Sequence, residues 1–243
     1  MTESNTQTHT PDPAAAAVAE NIKRVRGAIA EAALKSGRAP GEVALVAASK
    51  TKPPEMVRAA IAAGVDAVGE NRVQEMLEKH AASAYAGAPL HFIGQLQSNK
   101  AARIVGLCDL VESVGAPALL ALIGKTAAAK GIVQNVLIEV NIGKEPQKSG
   151  VLPEQTEEMF ELASRTAGIK VMGLMAIPPI YEKNENNCYY FDAMFKLFID
   201  MRGKTYDNVS VQLLSMGMSD SYTDAIRAGS NMVRIGSAIF GVR

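Results

Sequence analysis

The chain has little cysteine, no tryptophan and no excess of charge of either sign. Among 243 residues there are two cysteines and three histidines, and 25 Lys plus Arg balance 25 Asp plus Glu. Two separated cysteines are too few for a disulfide framework or a structural zinc site, and three scattered histidines do not suggest a metal cluster. A neutral chain also lacks the basic surplus that attracts nucleic acid or an anionic membrane.

Long hydrophobic runs and targeting segments are missing as well. The longest apolar stretches stop well short of the roughly 20 residues that a membrane span requires. The first thirteen residues, MTESNTQTHTPDP, contain no hydrophobic run and no arginine, so they do not resemble a signal or transit peptide. We expect residues 1–13 to form a disordered tail and residues 14–243 to form one domain of a soluble, cytoplasmic protein.

Short apolar runs alternate with segments of helical spacing along the rest of the chain. A helical pattern over 14–36 comes first, and eight apolar runs follow at 43–48, 67–68, 90–93, 110–114, 136–142, 171–177, 211–214 and 232–235. Helical patterns lie between most of them, at 54–63, 72–82, 117–130, 153–167 and 187–202. This order is typical of parallel βαβ units. It predicts an α/β fold, a single (β/α)8 TIM barrel with an additional N-terminal helix. The alternative, an open doubly wound sheet, lacks the usual glycine-rich nucleotide motifs here.

The first apolar run leads directly into a lysine, in the stretch VALVAASKTKPP. One explanation for Lys50 is a solvated side chain that opens a loop. The alternative is a lysine at the mouth of the barrel, where desolvation lowers the pKa of the amine and makes it a Schiff-base nucleophile. The loops after barrel strands carry the active sites of such folds, which favours the second explanation.

The segments after the seventh and eighth runs predict a phosphate site. They read SMGMS, from Ser215 to Ser219, and RIGS, from Arg234 to Ser237. Small residues let backbone N–H groups approach an anion at a helix N-terminus, and barrels frequently bind phosphate between these two loops. A lysine after strand one and a phosphate cradle beside it suit a phosphorylated aldehyde such as pyridoxal 5′-phosphate.

Arg234 lies in an otherwise apolar run, two residues before Gly236. Alternation places both residues on the same face of the strand. The arginine could contact the phosphate or the rest of the ligand. Its structural alternative is a buried ion pair with Glu70 or Glu139.

Six blocks of the sequence resemble, in order, the pyridoxal phosphate homeostasis protein family. They are LVAASKTKP, GENRVQE, HFIGQLQSNK, VNIGKEPQKSG, GLMAIP and LSMGMSDSYTDAIRAGSNMVRIGSAIFG, and they extend from about residue 43 to residue 241. The family is similar in fold to the barrel domain of bacterial alanine racemase, fold type III. The loop at residues 180–190 is unusual for the family, and its role stays open.

The resemblance implies that pyridoxal 5′-phosphate is the cofactor and that Lys50 forms the internal aldimine with it. It further implies that Arg234 lies close to the pyridine nitrogen, where its charge disfavours protonation of that nitrogen. The phosphate ligands implied are Ser215, Gly236 and Ser237, and the residues expected near the cofactor are Asn71 and Ser219.

The function implied is a non-catalytic carrier that holds the cofactor and delivers it transiently to apo-enzymes. The carrier is expected to be a monomer that binds neither nucleic acid nor membrane. A racemase-like enzyme with weak activity on amino acids is the first alternative, and a Schiff-base aldolase of sugar phosphates is the second. The chain ends at Arg243, soon after the eighth run, so we expect no second domain of the kind that completes alanine racemases. No acid–base pair for an aldolase is evident.

Overall fold

The computed structural model describes residues 12–179 and 188–241. Helix α1 spans Pro13–Lys35, and the side chain of Asp12 accepts a hydrogen bond from the Ala14 N–H at 3.0 Å. Because proline is tolerated in a first helical turn, where its missing N–H would have no partner, the helix begins one residue before the predicted start. The rest of the predicted tail, residues 1–11, lies outside the described residues.

Eight parallel strands close into a barrel. They are β1 Ala44–Ala48, β2 Ala67–Glu70, β3 Leu90–Phe92, β4 Leu110–Val114, β5 Gln134–Val140, β6 Ile169–Ala176, β7 Val209–Ser215 and β8 Met232–Ile235. Each strand pairs with the next, and β8 returns to β1 with Val46 opposite Arg234. The closure confirms the predicted (β/α)8 barrel and excludes the open sheet, which would leave two edge strands unpaired.

Helices follow the strands around the outside of the barrel. They are α2 Pro54–Ala62, α3 Val73–Ala81, α4 Ser98–Ile104, α5 Pro117–Ala129, α6 Thr156–Ser164, α7 Cys188–Arg202, α8 Tyr222–Arg227 and α9 Ser237–Phe240. The sequence patterns missed α4, because this short helix buries only Ala101 and Ile104 and so shows no sustained apolar period. Within the described ranges, no helix is both long and apolar enough to cross a membrane.

The core has an outer and an inner part. The larger part lies between the strands and the helices. Inside the barrel, a smaller cluster contains six buried residues, which are Val46, Ala67, Leu110, Leu137, Met175 and Met232.

The barrel interior becomes charged toward the C-terminal ends of three strands. Two residues beyond Leu110, Leu137 and Met232 come Glu112, Glu139 and Arg234, and all three charged side chains are buried. Since a side chain two positions along a strand returns to the same face, these charges share the interior with the apolar cluster. Buried charges require partners, so this end of the barrel is where a site is expected.

Candidate functional site

A cavity of about 530 Å³ opens at the C-terminal end of the barrel. Its lining comes from the end of β1 and the loops after β1, β7 and β8, and consists of Ala48, Lys50, Thr51, Lys52, Met218, Ser219, Asp220, Arg234, Gly236, Ser237 and Gly241. The volume lies in the range of roughly 300–1,000 Å³ that is usual for small-molecule sites. Segments from opposite ends of the sequence meet here because β1 pairs with β8.

Lys50 lies at the mouth of this cavity and is exposed to solvent. It follows β1 by two residues, and alternation places it on the inward face with Val46 and Ala48. In the part of the chain that the structure describes, its amine makes no hydrogen bond or ion pair. Lys52, by contrast, donates to the carbonyl oxygens of Phe240 and Gly241 at 3.1 and 3.4 Å. Lys50 is therefore the lysine of the pair with an available amine.

The loops after β7 and β8 meet through Ser219. Its hydroxyl oxygen accepts hydrogen bonds from the backbone N–H groups of Gly236 and Ala238, both at 3.3 Å. A Cβ atom on Gly236 would lie 3.2 Å from the carbonyl oxygen of Ala48, so the start of α9 packs closely on the end of β1. Ser219, Gly236 and Ser237 thus line the same cavity as Lys50, and their contact with a phosphate stays a prediction.

Ser215, which the family resemblance implies as a phosphate ligand, makes its contacts inside the barrel. It is fully buried, and it is not among the residues that line the cavity. Its hydroxyl donates to Glu112 Oε2 at 2.6 Å and accepts from Arg234 Nη1 at 2.5 Å. Its proton and one lone pair are thus used inside the barrel, and its contact with a phosphate stays a prediction. The hydroxyl residues that line the cavity are Thr51, Ser219 and Ser237.

Arg234 reaches the cavity from the barrel interior and is 4% exposed. Its Nη2 donates to the Ala176 carbonyl at 3.0 Å, and its Nη1 lies 3.7 Å from Glu112 Oε2. The predicted ion pair therefore exists, but its partner is Glu112. Burial lowers the pKa of the guanidinium, and the negative charges of Glu112 and Glu139 oppose that shift. Glu70 cannot take part, because alternation turns it to the outer face of β2.

Glu112 is fully buried between His91 and Arg234. Its Oε1 is 2.8 Å from His91 Nδ1, and its other oxygen accepts from Ser215. Burial alone would raise the pKa of this carboxyl, but the hydrogen bond and charge of His91, the charge of Arg234 and the Ser215 hydrogen bond outweigh it and lower the pKa. Sequence reasoning missed Glu112, although a glutamate in the apolar run at 110–114 was a signal for it.

A comparison with known proteins identifies the family. The model of the alanine racemase N-terminal domain matches residues 15–243. The pyridoxal phosphate homeostasis protein of Aquifex aeolicus is 42% identical over 224 residues, which is 92% of this chain and 97% of that protein. The protein of the same name from Pseudomonas aeruginosa is 38% identical over 226 residues, 93% of this chain and 96% of that one. The chain belongs to the pyridoxal phosphate homeostasis protein family.

Solved structures of similar proteins agree with this assignment. A protein of unknown function from Bifidobacterium adolescentis superposes with a TM-score of 0.86 at 34% identity, covering 96% of this chain and 98% of the other. PipY of Synechococcus elongatus, solved with pyridoxal phosphate bound, gives a TM-score of 0.79 at 28% identity, covering 92% and 100%. The alanine racemase of Streptomyces coelicolor, at 20% identity and a TM-score of 0.75, shares the fold, and the match covers 59% of its chain.

Asn71 is the remaining family-based prediction. It follows β2 directly, at the same end of the barrel, and its Oδ1 is buried without a hydrogen-bond partner among residues 12–179 and 188–241. A Cβ on Gly94 would lie 2.2 Å from the Asn71 carbonyl oxygen, so the end of β3 packs directly on this residue. A buried polar atom without a partner is uncommon and marks a position open to a ligand or water. Its contact with the cofactor stays a prediction, and most of the loop at 180–190 lies outside the described residues.

Proposed function

We propose that this member of the pyridoxal phosphate homeostasis family binds pyridoxal 5′-phosphate in the cavity and holds it covalently through Lys50. One observation carries the proposal. The available amine of Lys50 lines a cavity that it shares with the small residues Ser219, Gly236 and Ser237 at the start of α9 and in the loop after β7. Both family membership and the PLP-bound PipY structure support it.

The residues present fit a phosphorylated pyridine aldehyde. The cavity has the volume of a small-molecule site, and the close approach of Gly236 to Ala48 leaves no room there for a larger side chain. Asn71 offers a buried acceptor that has no hydrogen-bond partner in the described part of the chain. Pyridoxal 5′-phosphate supplies an aldehyde, which condenses with a primary amine to form a carbon–nitrogen double bond and releases water. The chain supplies the amine, the loops for the phosphate and the Arg234 cation.

The lining favours a carrier over an amino-acid racemase. A racemase needs bases that remove and return the proton on Cα, and tyrosine and histidine commonly take such roles. Among the described residues that line the cavity there is no tyrosine and no histidine, and Asp220 is the one carboxylate. The relatives are named for homeostasis. We therefore infer that this protein stores the cofactor without catalysis and passes it to apo-enzymes. We further propose that it acts as a monomer in the cytoplasm.

Reduction of the loaded protein tests the covalent link. Borohydride should fix the cofactor to one peptide, and peptide mass spectrometry should find it on Lys50. Lys50→Ala should abolish the visible absorption band and leave the far-ultraviolet circular dichroism unchanged. Lys100→Ala, which removes an exposed lysine on α4, is the matched control and should keep both. A label on Lys52 or Lys100 would contradict the assignment.

Transfer and turnover experiments separate the carrier from the enzyme. Loaded protein, freed of unbound cofactor by gel filtration, should restore the activity of an apo-enzyme that requires pyridoxal 5′-phosphate. Amino acids should change the spectrum of the loaded protein without being racemised, transaminated or decarboxylated. Multiple-turnover conversion of any amino acid that is lost in Lys50→Ala would favour the racemase-like alternative.

A further inference from the structure

Lys50 lies in a tight turn that has an unusual backbone conformation. The Lys52 N–H donates to the Ser49 carbonyl at 3.0 Å, which closes the turn around Lys50 and Thr51. Thr51 has a φ of 63°, in the left-handed region. Glycine or asparagine is usual at such a position, whereas a β-branched residue is an outlier that its surroundings must hold in place.

Lys79 of α3 anchors this turn from the outer side of the barrel. Its side chain is buried, and its ammonium donates to the Ser49 carbonyl at 2.7 Å, to Glu70 Oε1 at 2.5 Å and to Glu75 Oε1 at 2.8 Å. An ammonium group has three donors, and all of them are used here. Lys79 therefore has no free donor for a ligand, and its contacts point to a role within the protein.

Glu75 and Glu70 connect Lys79 to both neighbours of Lys50. The oxygen of Glu75 that contacts Lys79 also accepts the backbone N–H of Thr51. Glu70 Oε1 accepts the Ser49 hydroxyl at 2.6 Å. The network thus holds the backbone on each side of Lys50 and makes no contact with the lysine amine itself.

We propose that Glu75, anchored by Lys79, is a positioning residue that fixes the turn so that the Lys50 amine faces the cofactor aldehyde. The proposal rests on the proposed function, in which Lys50 holds pyridoxal 5′-phosphate. A preorganised amine reacts more favourably because less freedom is lost when the bond forms. Glu75 acts through the Thr51 N–H, which its carboxylate holds in the left-handed conformation.

Glu75→Ala tests this role with two ligands. Covalent retention of pyridoxal 5′-phosphate, measured by the visible band and by borohydride labelling of Lys50, should fall by about tenfold or more. Affinity for pyridoxine 5′-phosphate, which has an alcohol in place of the aldehyde, should stay within about twofold, since the phosphate loops are untouched. Adding Thr51→Gly to Glu75→Ala should restore retention, because glycine adopts a positive φ unaided.

The matched control is Glu78→Ala. Glu78 is exposed on the same helix, contacts Gln74 at 2.9 Å and carries the same charge, so its removal should change neither ligand's retention. If Glu75→Ala does not fold, Glu75→Gln provides the test. Its amide oxygen can still accept the Thr51 N–H, and we expect a smaller loss that Thr51→Gly again reverses.

Three results would overturn the positioning role. They are unchanged retention in the Glu75 variant, equal loss of both ligands, and no rescue by Thr51→Gly. Failure of the proposed function is distinguishable, because then the wild-type protein itself would give no borohydride-stable label on Lys50.

Discussion

Removing the charge of Glu112 should destabilise the protein strongly, because the carboxylate is fully buried beside Arg234. Glu112 is 0% exposed, and its partner Arg234 is 4% exposed. At the observed 3.7 Å and an effective dielectric constant of about 20, their attraction is about 4 kcal/mol. Breaking one side of a buried pair typically costs about 3–5 kcal/mol. In Glu112→Gln the amide can still bond to Ser215 and His91, so we expect a loss of about 3 kcal/mol.

Urea unfolding of the cofactor-free protein, followed by far-ultraviolet circular dichroism, measures this loss. A change of about 3 kcal/mol should also lower the melting temperature by about 6–12 °C in a domain of this size. Glu154→Gln is the matched control, because Glu154 pairs with Lys144 on the surface, where both side chains are more than half exposed. That variant should unfold at essentially the same urea concentration as wild type, because exposed ion pairs contribute little to stability.

The pH dependence gives a second measurement of the same charge. The pKa of Glu112 is lowered below 4.5 in the folded protein, so its carboxylate contributes stability above the unfolded pKa and loses it as the pH falls through the folded pKa. The difference in the free energy of unfolding between wild type and Glu112→Gln should therefore become smaller below about pH 4.5. Glu112→Gln combined with Arg234→Met should be less destabilised than the sum of the two single variants. The ion pair between Glu112 and Arg234 would be refuted if Glu112→Gln were as stable as wild type at pH 7. It would also be refuted if the free-energy changes of the two single variants added up in the double variant.

Three further predictions concern the cavity, the barrel interior and the cysteines. Ser237→Ala should weaken cofactor retention by about 0.5–1.5 kcal/mol. Gly236→Val should weaken it more, because a Cβ at this position would lie 3.2 Å from the Ala48 carbonyl oxygen. Absorption titration compares the two variants, and negligible effects of both would place the phosphate elsewhere. Ser215→Ala should lower the free energy of unfolding, measured by urea denaturation, by about 1–3 kcal/mol, because it removes a buried hydroxyl between two charges. A loss of cofactor retention as large as in Gly236→Val would support the predicted role of Ser215 as a phosphate ligand. A thiol reagent should modify exposed Cys188 and spare Cys108, because burial raises the pKa of the Cys108 thiol to about 12. Rapid labelling of both cysteines, detected by mass spectrometry, would contradict the burial of Cys108.

The sequence by itself determined the order of the elements and the location of the site. Strands and helices have different apolar periods, and these are local properties of the chain, so eight runs and a leading helix predicted the barrel. The position of Lys50 after β1, together with the small residues Gly236 and Ser237 after β8, indicated where an aldehyde and a phosphate would bind. For a barrel, the general rule that active sites lie after the strands then indicated the end at which the site is expected.

Only the tertiary structure decided which polar groups pair with each other. Ser215 and Glu112 are 103 residues apart in sequence, and Lys79 and Ser49 are 30 apart, yet each pair is within hydrogen-bond distance. Such partners depend on how adjacent strands are staggered when the barrel closes and on how α3 packs against them, and neither follows from local periodicity. Ser215, implied as a phosphate ligand by the family resemblance, contacts Arg234 in the interior network. For Arg234, an ion pair with Glu70 or Glu139 was the structural alternative to a ligand contact, and the structure shows Glu112 as its partner.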